Sequence, residues 1–359
     1  MGGRVLIAMS GGVDSSVAAY LLKARGFDCA GATMKLFDGE ETRTGGRTCC
    51  SLEDVSDAKS VAYRLDIPHY VFNFTEEFKE RVIGGFVEAY QNGATPNPCV
   101  DCNRHIKFEK LLSRAKQLGA DYLATGHYAR IERDLKTGRY LLKKAADEAK
   151  DQSYFLYSMT QEQLAGAMFP LGGLYKANVR LIAAEQGFLN AKKRDSQDIC
   201  FVRDGDYAGF IERYTGKVCE SGDFTDTRGC VLGRHKGLIR YTAGQRRGLG
   251  LSFPKPLYVR SKNPENNTVT LCEESGLFTK SLNAVDFNWI AIDEPRSPVR
   301  VEVKTRHGQK ERRATAKVSS PGKVYIEFDE PQRAIAKGQA VALYDGDTVV
   351  GGGTISDAF

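Results

Sequence analysis

The sequence SGGVDSS, residues 10–16, stands between a buried β-strand and an amphipathic helix, and this feature limits the fold more than any other. Residues 4–9 contain the run VLIAM, which is typical of a strand covered on both faces. The following run VAAYLLKARG is apolar at helical spacing and ends at Gly26. A strand, a glycine-rich turn and a helix in this order indicate an α/β protein that binds a phosphate at the helix N-terminus.

The turn carries the groups that a nucleoside triphosphate requires. Gly11 and Gly12 allow backbone N–H groups to approach phosphate oxygens, and the serines add hydroxyl donors. Asp14 can hold a Mg²⁺ ion that bridges the phosphates. No lysine follows the glycines, which excludes a Walker loop. A tight strand-to-helix connection is the plainer reading, but SGGVDS in this setting resembles the pyrophosphate loop of ATP pyrophosphatases, which adenylate a carbonyl oxygen.

The order of the remaining elements predicts an α/β fold followed by β structure. Through about residue 190, strand and helix patterns alternate, which predicts a doubly wound parallel sheet with ligands at the carboxyl ends of its strands. Beyond Phe201, short β runs with Pro/Gly turns predict a small middle domain and a C-terminal β-barrel. The predicted strands cover residues 4–9, 29–36, 69–74 and 121–128, the predicted helices 53–65, 75–90 and 103–118, and the predicted domains 1–203, 204–282 and 283–359.

Composition favours a cytoplasmic protein and leaves open whether it meets a polyanion. No signal-type segment and no run of about 18 uncharged apolar residues is present, so we expect no membrane association. Nine cysteines among 359 residues, an odd number without an export signal, indicate a reducing compartment. The net charge of +6 is clustered: residues 228–260 contain eight Lys/Arg and no Asp/Glu. Such clustering is equally compatible with a solvated basic face and with a nucleic-acid partner.

Two polar loops carry cysteines suited to sulfur chemistry. In TPNPCVDCN, residues 95–103, two prolines stiffen a loop that is expected to deliver Cys102 to a helix start, where the helix dipole and nearby cations favour thiolate. In DSQDICF, residues 195–201, Cys200 follows a basic run. Two thiols on such loops suit a relay in which one carries a persulfide and the other attacks it, forming a disulfide.

Taken together, SGGVDSS, NPCVDCN, ATGHYAR, KDQSYFL and SQDICF resemble the family of tRNA-specific 2-thiouridylases, and the resemblance continues through GLIRYTAGQRRGLG to the end of the chain. It implies an adenine nucleotide alpha hydrolase-like first domain. It also implies ATP-dependent adenylation of the C2 oxygen of the wobble uridine, followed by sulfur transfer that releases AMP and pyrophosphate. The implied partners are the anticodon arm of tRNA and a persulfide donor such as a cysteine desulfurase or relay protein.

The resemblance also implies roles for individual residues. Cys102 is the implied nucleophile and Cys200 the implied persulfide carrier. The implied ATP-binding residues are Ala8, Met9, Ser10, Gly11, Gly12, Val13, Asp14, Ser15, Met34 and Gly126. The implied tRNA-binding residues are Asn97, Pro98 and Cys99 at the target base, and His127, Lys150, Asp151, Gln152, Arg306, His307 and Gln339 elsewhere. An interior histidine is the plainer reading of His127, but its place beside Gly126 favours function.

One position departs from the usual pattern of that family. Many relatives have Asp where this chain has Cys99, and the change creates a CxxC pair with Cys102. Together with Cys200 this gives three thiols, enough to hold a [4Fe–4S] cluster with one open iron, whereas zinc would need a fourth ligand. The sequence favours a relay without an obligatory cluster. Among the other cysteines, the Cys49-Cys50 pair is the one that would most readily change this interpretation.

Two other functions compete with tRNA thiolation. The first is an amidating synthetase that uses the same ATP loop on a small carboxylate, but no glutaminase-like nucleophile segment accompanies the loop. The second is an RNA-binding protein with an inactive nucleotide pocket, which the intact Ser10, Gly11, Gly12 and Asp14 disfavour. We therefore expect a cytoplasmic, ATP-dependent tRNA sulfurtransferase.

Overall fold

The computed structural model describes residues 2–37, 52–193, 199–202 and 205–359. Cys49, Cys50 and residues 196–198 of the SQDICF motif lie outside these residues. The helices are α1 (Val13–Ala24), α2 (Leu52–Arg64), α3 (Thr75–Phe78), α4 (Gly85–Gln91), α5 (Pro98–Asp101), α6 (Leu112–Gln117), α7 (Gln161–Ala165), α8 (Lys176–Glu185) and α9 (Tyr207–Thr215). The strands are β1 (Arg4–Ala8), β2 (Asp28–Lys35), β3 (His69–Asn73), β4 (Tyr122–Ala124), β5 (Arg130–Arg133), β6 (Tyr140–Lys143), β7 (Ala167–Met168), β8 (Gly222–Thr225), β9 (Val231–His235), β10 (Tyr258–Asn263), β11 (Thr268–Cys272), β12 (Phe278–Trp289), β13 (Val299–Lys304), β14 (Arg312–Ser320), β15 (Lys323–Arg333), β16 (Ala340–Asp345) and β17 (Thr348–Ala358).

The chain divides into two compact units. The first comprises Met1–Val82, Cys99–Gly205 and Asp347–Val349. The second comprises Ile83–Pro98, Asp206–Gly346 and Val350–Phe359. No helix within the described residues is both long and apolar enough to cross a membrane.

The first unit is built on a parallel sheet in the order β3-β2-β1-β4-β7. Strand β1 is central because Val5, Leu6 and Ile7 are almost completely buried. Apolar faces of α1, α2 and α8 belong to the same core as β1. This arrangement confirms the predicted doubly wound sheet. The predicted strand at 121–128 is shorter, since β4 ends at Ala124 where the chain turns towards α1.

The helix that carries Cys99 and Cys102 begins earlier than its sequence pattern predicts. Helix α5 starts at Pro98, and a π-helical segment, Cys102–Leu111, joins it to α6. Proline is favoured at the first helical position because its fixed φ suits the helix and its missing N–H is not needed there. Cys102 is therefore the fifth residue of a continuous helical run and not its first, which corrects the predicted position of that thiol.

The second unit is rich in β structure. A four-stranded sheet has the order β10-β11-β8-β9 around a core that contains Phe224, Val259 and Leu271. Six further strands follow one another in the order β12-β15-β14-β13-β16-β17, and β17 pairs back with β12 to close a barrel. The predicted C-terminal barrel is thus confirmed. Strand β12 was not predicted, since it begins in polar and charged sequence (FTKSLNAVDFNW).

Candidate active site

The phosphate loop lies at the point where the order of the parallel strands reverses. The chain moves outwards from β1 through β2 to β3 on one side, and β4 lies on the other side of β1. Crevices outside the carboxyl ends of strands at such a reversal are where open α/β sheets bind ligands. Residues 9–12 follow the end of β1, and Thr125, Gly126 and His127 follow the end of β4. The implied ATP residues therefore flank the expected crevice.

The loop conformation depends on local hydrogen bonds and on one glycine. Gly11 has φ +70°, and an added Cβ would lie 2.3 Å from the carbonyl oxygen of Asp54. The hydroxyl of Ser15 accepts a hydrogen bond from the Ser10 N–H (3.2 Å) and donates one to the Gly12 carbonyl (3.0 Å). Helix α1 begins at Val13 without a capping side chain on Gly12. The first-turn N–H groups of α1 are therefore suited to an anion.

Asp14 is paired with a lysine that sequence reasoning did not identify. The Lys176 ammonium lies 2.7 Å from both carboxylate oxygens of Asp14, and the Tyr128 hydroxyl donates to one of them (2.8 Å). Lys176 is the first residue of α8 and is largely buried. Lys176 is 162 residues away from Asp14 in the sequence, so no local motif links the two residues. The negative charge of Asp14 is thus compensated by a cation held at the same loop.

Asn190 and Lys193, which sequence reasoning did not identify, contact the phosphate loop and the neighbouring residue Asp54. The amide nitrogen of Asn190, a buried residue, donates to the Gly11 carbonyl and to the Ser16 hydroxyl, at 2.9 Å each. The Lys193 ammonium pairs with Asp54 (2.6 Å) and Asp57 (2.7 Å). Burial lowers the pKa of Lys193, but its hydrogen bonds with the two carboxylates outweigh that and raise it. The basic run at residues 192–194 was a signal that could have pointed to this contact.

The remaining implied ATP residues occupy the same edge of the sheet. The Met9 carbonyl accepts a hydrogen bond from the Thr33 hydroxyl (2.8 Å), and Met34 is the next residue of β2. An added Cβ on Gly126 would lie 2.9 Å from the Ser15 nitrogen. Glycine at this position therefore allows the turn after β4 to contact the first turn of α1, whatever contact it makes with ATP.

The KDQ segment supports Asp14 through Tyr128. Gln152 and Tyr128 exchange two hydrogen bonds, from Gln152 N–H to the Tyr128 carbonyl (2.8 Å) and from Tyr128 N–H to Gln152 Oε1 (2.9 Å). The buried carboxylate of Asp151 accepts from the N–H groups of Ala145 and Ser153. Lys150 is half-buried. The described contacts of Asp151 and Gln152 are therefore within the protein.

His127 lies in the interior of the first unit. Its ring shares hydrogen bonds with the Thr125 hydroxyl (2.7 Å) and the Lys107 ammonium (3.4 Å), and it packs near the rings of Phe108 and Phe169. Burial, and then the positive charge of Lys107, hold the pKa of His127 well below its usual range. The imidazole is therefore neutral, and only 9% of the residue's surface is exposed.

The cysteines differ in exposure. Cys99 is exposed, whereas Cys102 and Cys200 are half-buried. Phe201, next to Cys200, packs edge-on against Phe78 at a centroid distance of 5.9 Å. Among the described residues, no group of three or more His, Cys, Asp or Glu side chains could hold a metal ion. No iron–sulfur cluster is evidenced within this part of the chain, so the three-thiol site at Cys99, Cys102 and Cys200 stays a hypothesis.

In the second unit, two of the implied tRNA residues bind backbone carbonyls. One guanidinium nitrogen of Arg306 donates to the carbonyls of Ala243 (3.3 Å) and Ala334. The side-chain amide of Gln339 donates to the Thr95 carbonyl at 2.7 Å. The other implied residues of this unit differ in exposure: His307 is exposed, Asn97 is half-buried and Pro98 is buried.

Comparison with family models assigns three successive regions of the chain to described domains. Residues 3–204 match the family model described as a tRNA methyl transferase HUP domain, residues 208–273 the PRC-barrel domain of the same series, and residues 279–355 an aminomethyltransferase beta-barrel domain. The fold and site thus define an α/β enzyme of the HUP class that carries additional β domains.

Full-length relatives specify the family. The chain is 52% identical over 355 residues to the tRNA-specific 2-thiouridylase MnmA of Clostridioides difficile, covering 99% of this chain and 98% of the relative. It is 51% identical over 356 residues to the protein of the same name from Lachnoclostridium phytofermentans, covering 98% and 99%. The chain belongs to the tRNA-specific 2-thiouridylase MnmA family, which confirms the resemblance seen in the sequence.

Proposed function

We propose that this protein 2-thiolates the wobble uridine of tRNA, using ATP to adenylate the C2 oxygen and a cysteine persulfide as the sulfur source. Family membership makes the chain a tRNA 2-thiouridylase, and it does not favour an amidating synthetase. The observation that carries the chemistry is the loop at residues 10–15, placed where the strand order reverses and leading into a helix without a capping side chain. The proposed domains are 1–203, 204–282 and 283–359; the family models at 3–204, 208–273 and 279–355 support this division into three, but strand β12 of the barrel already begins at Phe278, ahead of the last boundary.

The loop fits ATP. Glycine at position 11 leaves room against Asp54, and the first-turn N–H groups of α1 can bind phosphate oxygens. Asp14 would hold Mg²⁺, which when bound would offset the phosphate charge. Lys176 adds a second positive charge at the same carboxylate. Because the O2 of uracil is a poor leaving group, its conversion to an adenylate is needed before sulfur can replace it.

The two half-buried cysteines are proposed to transfer the sulfur. A donor protein loads a sulfur atom on Cys200 as a persulfide. The terminal persulfide sulfur, or sulfide released from it, forms the bond to C2 while the C2–O bond breaks and AMP departs. The Cys102 thiolate attacks the Cys200 sulfur, so the persulfide S–S bond breaks and a Cys102–Cys200 disulfide forms. A thiol reductant then returns both cysteines to thiols for the next turnover.

Replacing each cysteine by serine tests the relay. Cys200→Ser should form no protein-bound persulfide and no 2-thiouridine, while Cys102→Ser should load sulfur but fail at transfer. Mass spectrometry of the intact protein and of the tRNA nucleosides measures both steps. Cys230→Ser is the matched control, since Cys230 is exposed and lies in the second unit. Persulfide formation on Cys200→Ser at the control level would contradict the assignment.

Cys99→Ser separates the relay from a cluster. In the relay, an aerobically purified Cys99→Ser variant supplied with a persulfide donor should keep most of its activity. Iron at about four atoms per chain in active anaerobic protein, lost with activity in the three variants at positions 99, 102 and 200, would overturn the relay.

The tRNA is proposed to bind the basic second unit as well as the catalytic unit. Residues 228–260 and 296–317 each contain eight Lys/Arg, and phosphate contacts of this kind position RNA without reading its sequence. The wobble base must leave the anticodon stack, which costs little in a single-stranded loop. The family, the sequence and the ATP requirement fit a cytoplasmic enzyme.

A further inference from the structure

The segment at residues 94–97, which precedes the helix of Cys99 and Cys102, is held by three side-by-side hydrogen bonds within the second unit. The Lys262 ammonium donates to the Ala94 carbonyl (3.2 Å), and the Thr95 N–H donates to the Lys337 carbonyl (2.8 Å). The Gln339 amide donates to the Thr95 carbonyl (2.7 Å). The partners come from β10 and from the turn before β16, more than 160 residues away along the chain.

Close packing supports the same segment. Gly338 has φ +86°, and an added Cβ would lie 2.8 Å from the Ala94 Cβ and 3.0 Å from the Thr95 nitrogen. Such distances leave no room for any side chain at position 338 unless the segment moves. We call Lys262, Gly338 and Gln339 the cradle of residues 94–97.

Lys262 is an unusual choice for a purely structural contact. Its ammonium is buried and lies 5.5 Å from the centroid of the Tyr90 ring, which stacks on Tyr207 at 5.0 Å. Burial lowers the pKa of Lys262 to about 8. Burying a cation costs free energy that an apolar residue would not cost. A lysine at this place, bonded to the Ala94 carbonyl, therefore points to a requirement for that backbone conformation.

We propose that Lys262, Gly338 and Gln339 are positioning residues that fix residues 94–97, so that Asn97 receives the target uridine in a reactive geometry. The proposal rests on the proposed function and on the role that the family resemblance implies for Asn97, contact with the target base. In this proposal, the side-chain amide of Gln339 donates hydrogen bonds to the Thr95 and Pro96 carbonyls and thereby holds the segment in place. It also adds Lys262, which has no such role by resemblance. Displacements of about 1 Å at a reacting centre can lower a rate about 100-fold.

The experiment compares Lys262→Met and Gly338→Ala with Gly322→Ala in the full-length protein. Gly322 lies in the same unit with φ +68°, but nothing lies within 4 Å of an added Cβ, so it reproduces the backbone strain without the contact. We expect the single-turnover rate of thiolation, at saturating tRNA and persulfide donor, to fall about 100-fold in the two cradle variants. Equilibrium Kd values for tRNA and for ATP should stay within about threefold of the control.

A purely structural role would instead lower the melting temperature and raise the Kd for tRNA while the rate at saturation stays unchanged, and that result overturns the proposal. A thiolation rate in both variants that is within twofold of the rate of Gly322→Ala also overturns the proposal. If Lys262→Met and Gly338→Ala do not fold, Lys262→Gln decides, because it removes the ammonium that donates to the Ala94 carbonyl while keeping a polar side chain at this position. Absence of thiolation by the unsubstituted protein would instead refute the proposed function.

Discussion

Two segments of this protein precede helices and are proposed to meet the two substrates, yet they are held in different ways. The ATP loop, residues 10–12, is held in part by a near neighbour, since Ser15 bonds to Ser10 and to Gly12, and in part by the distant Asn190. Residues 94–97 are fixed by Lys262, Lys337 and Gln339, which lie on distant parts of the chain. The first segment can therefore be recognised from a short motif, whereas the second needs the folded second unit.

The difference has a consequence for substitutions. A change in the ATP loop acts at the site itself, so its effect should appear in ATP chemistry and leave tRNA binding intact. A change in the cradle acts on residues 94–97 from a distance, so its effect should appear in the transfer step. The following predictions separate these two behaviours.

The largest effect is expected for Asp14→Ala. In the proposed mechanism the carboxylate serves the phosphates and their metal, and it pairs with Lys176, so its loss should lower tRNA-dependent pyrophosphate release at least about 100-fold. The Kd for tRNA should remain within a few fold, since Asp14 does not contact RNA in the proposed mechanism. Pyrophosphate release at the unsubstituted rate, measured by a coupled assay, would show that the loop is not the ATP site.

The second prediction concerns the pH dependence of stability caused by Lys262. The pKa of Lys262 is about 8 in the folded protein, below the ordinary 10.5, so between these values the unfolded chain binds more protons. Stability therefore rises with pH through this window, and the burial penalty is fully present below pH 8. Between pH 7 and 9.5, the unsubstituted protein should gain about 2 kcal/mol relative to Lys262→Met.

Thermal unfolding of both proteins at matched pH measures this gain, because other titrating groups affect the two curves equally. A constant difference in melting temperature across the range would mean that the Lys262 ammonium is solvated and that the cradle does not hold a buried cation.

The features that can be predicted from sequence are those with a local sequence pattern, and those that depend on distant residues cannot be predicted in this way. The parallel sheet and the barrel have local patterns, and both predictions are confirmed; the loop at residues 10–16 also has a local pattern, and its binding of ATP stays a prediction. The contacts of Lys176, Tyr128 and Asn190 were not predicted, because no local spacing links them to Asp14 or Gly11. The Cys102 helix starts earlier than its pattern predicts, because Pro98, which fits a stiff loop, is equally suited to a first helical turn.

A third, smaller effect is expected for Gly11→Ala. Its φ of +70° and the contact with the Asp54 carbonyl make any side chain unfavourable, and a strain of about 1.4 kcal/mol corresponds to a tenfold loss of affinity. We expect the Kd for ATP to rise about tenfold or more with no change in the Kd for tRNA. Gly26→Ala is the control, since Gly26 has φ +80° but nothing within 4 Å of an added Cβ. Equal ATP affinities in both variants would mean that the close approach to Asp54 is unimportant.

The smallest effect is expected for Arg306→Gln in the second unit. If one phosphate contact is lost, the slope of log Kd for tRNA against log salt should become shallower by about one unit. Between 50 and 200 mM salt this is about a fourfold difference in affinity. Arg300→Gln is the matched control, because both of its terminal nitrogens bond to Asp329 in the same barrel, at 2.8 and 2.7 Å. An unchanged slope in Arg306→Gln, together with weaker binding at every salt concentration, would mean that Arg306 acts through the protein contacts that it makes, such as those with the Ala243 and Ala334 carbonyls. Arg306 would then stabilise the fold of the second unit without contacting tRNA. In that case the phosphate contacts would have to come from exposed cations such as Arg246 and Arg247.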